Sequence, residues 1–200
     1  MEIIRYSDLK AEPWRNGGGV TREIARGVAG NSIVGTPAAD SAGWDWRVSI
    51  AEVGKAGGFS AFPGMERVLT VIDGELFLLT VDGAEHPLEK YRPFRFPGDA
   101  PASGALPTGD IRDLNVITRA GVFKGYTSII ELSKKRAHPV FAGQFGILLQ
   151  GEATVTHGGE GDSAEALSRY DAVAGSDAAS PEILGRGFLA VVSIDAVADQ

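Results

Sequence analysis

The sequence contains no cysteine, which removes structural disulfides, thiolate metal sites and a cysteine nucleophile together. Histidine is nearly as scarce. His86, His138 and His157 are scattered along the chain, and none has a local partner at ligand spacing such as His-x-His. No metal and no cofactor are therefore expected. Long apolar runs are missing too, and the opening Met-Glu-Ile-Ile-Arg-Tyr-Ser-Asp sets acids where a signal peptide needs a basic and then an apolar run. A soluble, cytoplasmic protein with no membrane partner is the expectation. Basic residues are outnumbered, 19 against 26 acidic ones for a net charge of −7, so no nucleic-acid partner is expected. Helix signals are few; Tyr6-Ser7-Asp8-Leu9 opens one turn at most.

Glycine is abundant instead, with 27 Gly, 10 Pro and 44% apolar residues in 200, enough to bury one large or two small cores. Alternation of period 2 recurs through the chain. In Trp44 to Ile50, Trp46, Val48 and Ile50 face one way and Arg47 and Ser49 the other. Val68 to Ile72 and Glu75 to Val81 flank Asp73-Gly74, a hairpin turn, because Asp-Gly supplies positive φ. Further strands are expected at 92–96, 113–119, 127–132, 146–150, 153–157, 171–174 and 188–194. Many short strands punctuated by Gly and Pro predict an all-β sandwich or barrel.

A weak internal repeat divides the chain. Val71 to Leu78 is echoed by Leu148 to Val155, Leu88-Glu89-Lys90-Tyr91 by Leu167-Ser168-Arg169-Tyr170, and Gly98 by Gly175. The offset from Gly74 to Gly151 is 77 residues. A hairpin followed by a strand ending at glycine resembles the two-motif skeleton of a cupin barrel, which gives two tandem modules, residues 1–125 and 126–200. In metal-binding cupins the strand before the hairpin supplies two His and a Glu. Here no His stands between Gly58 and Gly64, and Arg67 occupies the Glu position, where its charge would oppose a metal ion.

The densest polar run is Pro13-Trp14-Arg15-Asn16-Gly17-Gly18-Gly19-Val20-Thr21-Arg22-Glu23-Ile24. Three glycines allow backbone amides to be aimed at an anion, or simply a flexible turn entering a strand. No Gly-Lys-Ser/Thr follows a strand, so this is not a P-loop. The run resembles the opening signature of the HutD/Ves family. Later segments agree: Trp46-Arg47-Val48-Ser49-Ile50-Ala51, Gly58-Phe59-Ser60-Ala61-Phe62-Pro63-Gly64-Met65-Glu66-Arg67, Phe96-Pro97-Gly98-Asp99 and Asp113-Leu114-Asn115-Val116. Arg15 stands where the family commonly has Lys. The resemblance implies a bicupin fold, an association with histidine-utilisation operons or stress-responsive proteins, and no firmly established activity.

Arg47 and Ser49 share one strand face, Asp113 and Asn115 share another, and Arg67 takes the former ligand position. Facing inward, these would form a pocket for a small anionic metabolite, with Asn16, Arg22, Glu23, Ser60 and Phe62 from the neighbouring motifs. Guanidiniums bind carboxylates bidentately. The competing arrangement is an internal ion-pair network joining Arg47 or Arg67 to Asp113, Asp99 or Glu23. The expected function is a metal-free protein that senses or sequesters a small carboxylate, with an N-acylated glutamate from histidine breakdown suggested by the resemblance. Binding without turnover is the first expectation. The alternatives are a metal-independent isomerase or hydrolase using Glu23 or Asp113, and a protein-interaction module, a homodimer included, built on Trp14, Trp44 and the edge strands.

Overall fold

The computed structural model describes residues 2–29, 43–157 and 163–198. The strands β1 Glu2–Ile4, β2 Glu12–Pro13, β3 Gly19–Gly27, β4 Trp46–Val53, β5 Gly57–Gly58 and β6 Met65–Asp73 come first. Next are β7 Leu76–Val81, β8 Ala84–Glu89, β9 Phe94–Pro97, β10 Ala102–Ala105, β11 Ile111–Arg119 and β12 Phe123–Leu132. β13 His138–Pro139, β14 Gln144–Thr156, β15 Glu165–Leu167, β16 Ala172–Ala174 and β17 Glu182–Ala196 complete the order. Among the described residues the only helical turn is 3-10, Tyr6–Asp8, where the sequence offers one turn. None of them forms a helix long and apolar enough to cross a membrane. The chain is all-β, as expected.

It divides into two units, Met1–Leu9 with Tyr126–Asp195, and Lys10–Gly125 with Ala196–Gln200. The larger unit holds a six-stranded sheet, β2-β3-β4-β11-β6-β9, and a four-stranded sheet, β5-β10-β7-β8. Every strand pairing recorded in it is antiparallel. Between the sheets lies a core of Val53, Leu69, Val71, Phe77, Leu79, Phe96 and Ile111. Neither sheet closes into a barrel. The alternation in β4 is observed, but both faces are buried: Trp46, Val48 and Ile50 on one side and Ser49 and Ala51 on the other. Only a polar residue with a partner or a ligand to meet belongs on such an interior face.

The second unit is built on β14 and β17, which pair from Gln144↔Ser193 to Thr156↔Glu182. Two strands separated near Gly151 were expected here; one continuous strand is found. The ladder survives because Gly151 and Gly187 adopt φ of +98° and +107° opposite one another and a register shift falls between Leu148 and Gln150, so an irregularity replaces the turn. Leu148, Val155, Val173, Ile183 and Leu189 form this unit's core, and Ile3 packs on it from β1. β1 pairs with β16, Ile3 opposite Val173. Beside it the buried Asp171 carboxylate accepts from Arg5 Nη1 at 2.7 Å, the Tyr6 amide at 2.9 Å and the Ser168 amide at 2.9 Å.

The repeat is written into the backbone of each unit. Tyr91 and Tyr170 both take positive φ, +66° and +72°, a conformation rare for aromatic residues. Tyr91 donates its amide to Val71 O at 2.8 Å and Tyr170 to Leu148 O at 2.6 Å, and these acceptors are themselves 77 residues apart. Lys90 lies over the Tyr91 ring and Arg169 over the Tyr170 ring. The paired glycines answer a steric demand. A Cβ on Gly98 would meet Phe62 O at 2.7 Å, and one on Gly175 would meet Phe141 O at 1.8 Å. Gly98→Ala and Gly175→Ala are each expected to cost about 1–3 kcal/mol, because backbone must move to admit the methyl. Urea denaturation measures this, and Gly54→Ala, where the nearest atom to an added Cβ is Asp110 Oδ2 at 3.7 Å, serves as the control.

Candidate functional site

On the inner face of the six-stranded sheet, antiparallel register aligns the polar residues of three neighbouring strands. Asn115 of β11 stands opposite Ser49 of β4 and Leu69 of β6. Ile117, two residues along, stands opposite Arg47 and Arg67. The segment between β5 and β6 adds Phe59, Ser60 and Phe62, and the turn from β2 into β3 adds Trp14, Arg15 and Asn16. Together with Glu12 and Thr21 these residues line a cavity of about 560 Å³. That volume suits a small metabolite.

Arg67 forms the floor of the cavity and is only 3% exposed. Its Nε and Nη2 donate to Asn115 Oδ1 at 3.3 and 3.1 Å, and Nη1 reaches the Ser60 carbonyl at 3.5 Å. Phe59, Phe62 and Phe96 surround the guanidinium with ring centroids 5.2, 5.4 and 5.0 Å from Cζ, within cation–π range. Burial pulls the guanidinium down to about 10, with Asp113 opposing that fall and Arg47 adding to it. It stays cationic at neutral pH.

Asn115 turns its amide to Asp113, Nδ2 donating to Oδ1 at 2.9 Å. The amide orientation follows from chemistry, since the flipped form would set NH2 against the guanidinium. Asp113 is wholly buried and, among the described residues, its Oδ2 has no hydrogen-bond partner. Burial pushes its carboxyl up to about 7, against the opposing pulls of Arg67 and of the Asn115 hydrogen bond.

Arg47 is held differently. Its Cζ lies 5.1 Å from the Trp44 ring and 5.4 Å from Phe62, and its buried Nε has no hydrogen-bond partner. Burial lowers this guanidinium, Glu23 and Glu12 hold it up, and Arg26 adds to the fall. Phe62 touches both arginines at the same distance. Among the described residues, neither Arg47 nor Arg67 has a carboxylate within ion-pair distance. The network that would have closed this interior with salt bridges is not formed.

Seven of the residues singled out by sequence, Asn16, Arg47, Ser49, Ser60, Phe62, Arg67 and Asn115, line the cavity. Asp113 lies behind Asn115 and does not. Arg22 is misplaced by the sequence reading: on β3 Thr21 takes the inward position, so alternation turns Arg22 outward, where it pairs with Glu52. Glu23 stands opposite Ser49 but at a register shift, and it pairs with Arg26 at 3.3 Å instead of entering the cavity. The three glycines do not present amides to this site. Gly17 N–H donates to Trp14 O and Gly18 N–H to Asn16 Oδ1, and the loop borders a separate depression with Glu52, Asp110 and Arg112. Glu12, Trp14, Thr21 and Phe59 are lining residues that sequence reasoning missed. Trp14 sits within the signature run, fixed by its Nε1–H donating to Thr21 Oγ1 at 2.8 Å.

The histidines lie elsewhere: His86 stacks on Phe94, His138 is in β13 and His157 follows β14. Among the described residues no group of three or more His, Asp or Glu is placed to hold a metal ion. What the cavity offers is cationic donors over an aromatic wall, with the Glu12 carboxylate also in its lining.

A family model described as HutD matches residues 6–191. A 21.2 kDa protein in the hutC 3′ region of Pseudomonas putida is 39% identical over 118 residues, 58% of this chain and 57% of that protein. Protein Ves of Citrobacter koseri is 39% identical over 121 residues, 58% of each chain. The aligned segment therefore spans a little over half the length of these curated relatives. A conserved protein of unknown function from Pseudomonas aeruginosa PAO1 superposes with a TM-score of 0.77 at 28% identity, covering 98% of this chain and 99% of that one. HutD from Pseudomonas fluorescens SBW25, solved in a formate condition, gives 0.72 at 30% identity, again over 98% and 99%. A cupin 2 conserved barrel domain protein from Leptotrichia buccalis gives 0.59 at 8% identity over 97% and 96%, which establishes a cupin-like fold.

The orphan carboxyl makes a measurable demand. A carboxyl raised by folding stabilises the native state below its ordinary value of 3.8 and loses that contribution as pH climbs to about 7. Asp113→Asn is expected to resist urea better than the parent at pH 8, by about 2 kcal/mol. The advantage should shrink at pH 5, where the parent's carboxyl holds its proton.

Proposed function

The chain belongs to the HutD family, and from that premise we propose that it is a metal-free, cupin-like protein that senses or sequesters a small carboxylate metabolite. The observation that carries the reading is a cavity containing two guanidiniums, Arg47 and Arg67, with no carboxylate within ion-pair distance of either among the described residues. Buried cations are ordinarily paired. Here the interior supplies aromatic faces and amides instead, and leaves the place of the counter-ion to a guest. Ser49 and Asn115 add short polar contacts, and Phe59, Phe62 and Trp14 give an apolar wall for a carbon skeleton. The hutC-region name of the Pseudomonas putida relative supports placing that guest among the products of histidine breakdown, an N-acylated glutamate being the favoured candidate. The two repeated units support a bicupin arrangement, and the absence of thiols supports a cytoplasmic setting.

An enzymatic reading has one observation in its favour, the Asp113 carboxyl raised towards neutrality. It lies behind Asn115, out of reach of a guest, and Glu23 is engaged with Arg26 outside the cavity. Binding is the better account.

Titration calorimetry with N-acetylglutamate, glutarate and intermediates of histidine breakdown tests it. Heat of binding is expected with at least one of them, weakened tenfold or more in Arg67→Ala and in Arg47→Ala, since each loses a charge-assisted contact of about 1.5–3 kcal/mol. Absence of heat with every compound would remove this ligand class.

A further inference from the structure

We propose that anion binding at Arg67 is coupled to proton uptake by Asp113, with the Asn115 amide as the link between them. The coupling rests on the cavity being an anion site, and it adds to that reading a second, invisible participant.

Three groups stand in line. Arg67 faces the cavity; Asn115 accepts from Arg67 through Oδ1 and donates to Asp113 through Nδ2; Asp113 ends the line with Oδ2 lacking any hydrogen-bond partner. A carboxylate sealed away from water with an unfilled acceptor needs a nearby positive charge to stay ionised. Arg67 is that charge. It serves Asp113 at one remove, across an amide, so the attraction is real but no direct contact locks it.

Among the described residues, the neighbours of Asp113 offer no other counter-ion. On β4 its register partner is Ala51 and on β6 Val71, with Arg67 further along β6. Arg47 of β4 acts on Arg67, and Glu12 of β2 and Glu23 of β3 act on Arg47. The opposite sheet contributes Phe77, Leu79 and Val81 to the adjoining core, and its His86 is stacked on Phe94 with centroids 4.5 Å apart. Asp171, the buried aspartate of the other unit, shows the contrast: Arg5 and two backbone amides meet its carboxylate directly.

An anion arriving at Arg67 takes over the charge on which the Asp113 carboxylate depends. Two negative groups then share one buried guanidinium, and the cheaper outcome is for the hidden one to accept a proton on Oδ2, the oxygen that has no partner. By linkage the effect is reciprocal: whatever favours the protonated carboxyl favours the guest. Affinity therefore falls as pH rises across neutrality, and each guest bound draws up to one proton from solution.

N-acetylglutamate is a suitable probe, because its acetylated amine does not titrate and both its carboxylates are ionised throughout the window used. Calorimetry at pH 7 in bis-Tris and in Tris, cationic buffers that do not compete for an anion site and that differ in ionisation enthalpy, should give different apparent heats, in the sense of net proton uptake. In the parent protein affinity should drop by about tenfold between pH 6 and pH 8.5, the consequence of a one-unit shift in Asp113. In Asp113→Asn it should stay level over that range and exceed the parent's at pH 8.5. Binding with buffer-independent heat, or a pH slope that persists in Asp113→Asn, overturns the coupling and leaves the anion site standing. Failure of the probe and of the other carboxylates to bind the parent at any pH overturns both. The buffer comparison uses the parent alone, so the result does not depend on the variant folding.

Discussion

A guanidinium sealed inside a β-sandwich, hydrogen-bonded to an amide where a carboxylate would be expected, is the constraint around which the larger unit is arranged. Removing such a cation from water costs several kcal/mol. Three phenylalanine rings return about 0.5–2 kcal/mol each, and the Asn115 oxygen accepts two of its donors. Asp113 contributes its field from behind. These supports stabilise the charge without quenching it, which is the condition the proposed anion site has to meet. A direct Arg67–Asp113 pair would make a firmer core and a poorer site.

The smaller unit has no such charge at the corresponding position of the 77-residue repeat. Seventy-seven residues after Arg67 stands Gln144, whose amide reaches Ser193 Oγ at 3.2 Å across the ladder. The polarity is conserved in kind and reduced in strength. Around it the interior fills with Val140, Leu148, Ile183 and Leu189, and Gly146 leaves room for them, since a Cβ there would strike Ile183 Cδ1 at 2.7 Å. The two units thus share backbone details at the 77-residue spacing and differ at this position, with apolar packing in the smaller unit and a polar cavity beside the apolar core in the larger.

Strand faces were the part most open to reading from sequence, because period-2 alternation is a local property that burial enforces along the whole of β4, β6 and β11. The same rule exposes the error over Arg22, since adjacent residues in a regular strand cannot both point inward and Thr21 holds the inward position; Glu23 shares the parity of Thr21 and is diverted by the register shift that follows it, which no period shows. Glu12, Trp14 and Phe59 were missed because they lie in turns and short edge segments, where no period says which way a side chain points. The continuous β14 was hidden by Gly151, since a glycine that ends a hairpin strand and one that bends an unbroken ladder look alike in one dimension. Nor could any pattern reveal that Asp113 has one oxygen unfilled. That depends on what three other strands fail to supply.

The pairing of β1 with β16 also bears on how the molecule is assembled. β1 finds its partner some 170 residues further along the chain, with the entire Lys10–Gly125 segment intervening. Contacts of such sequence separation form late. The edge strand β1 must wait for the rest of its unit, yet the wait is shortened once residues 10–125 have folded, because a compact insert replaces a long floppy tether and lowers the entropy lost in bringing the two ends together. Synthesis, in which domains fold in order of emergence, runs in the favourable direction, since residues 10–125 emerge before the strands that β1 awaits.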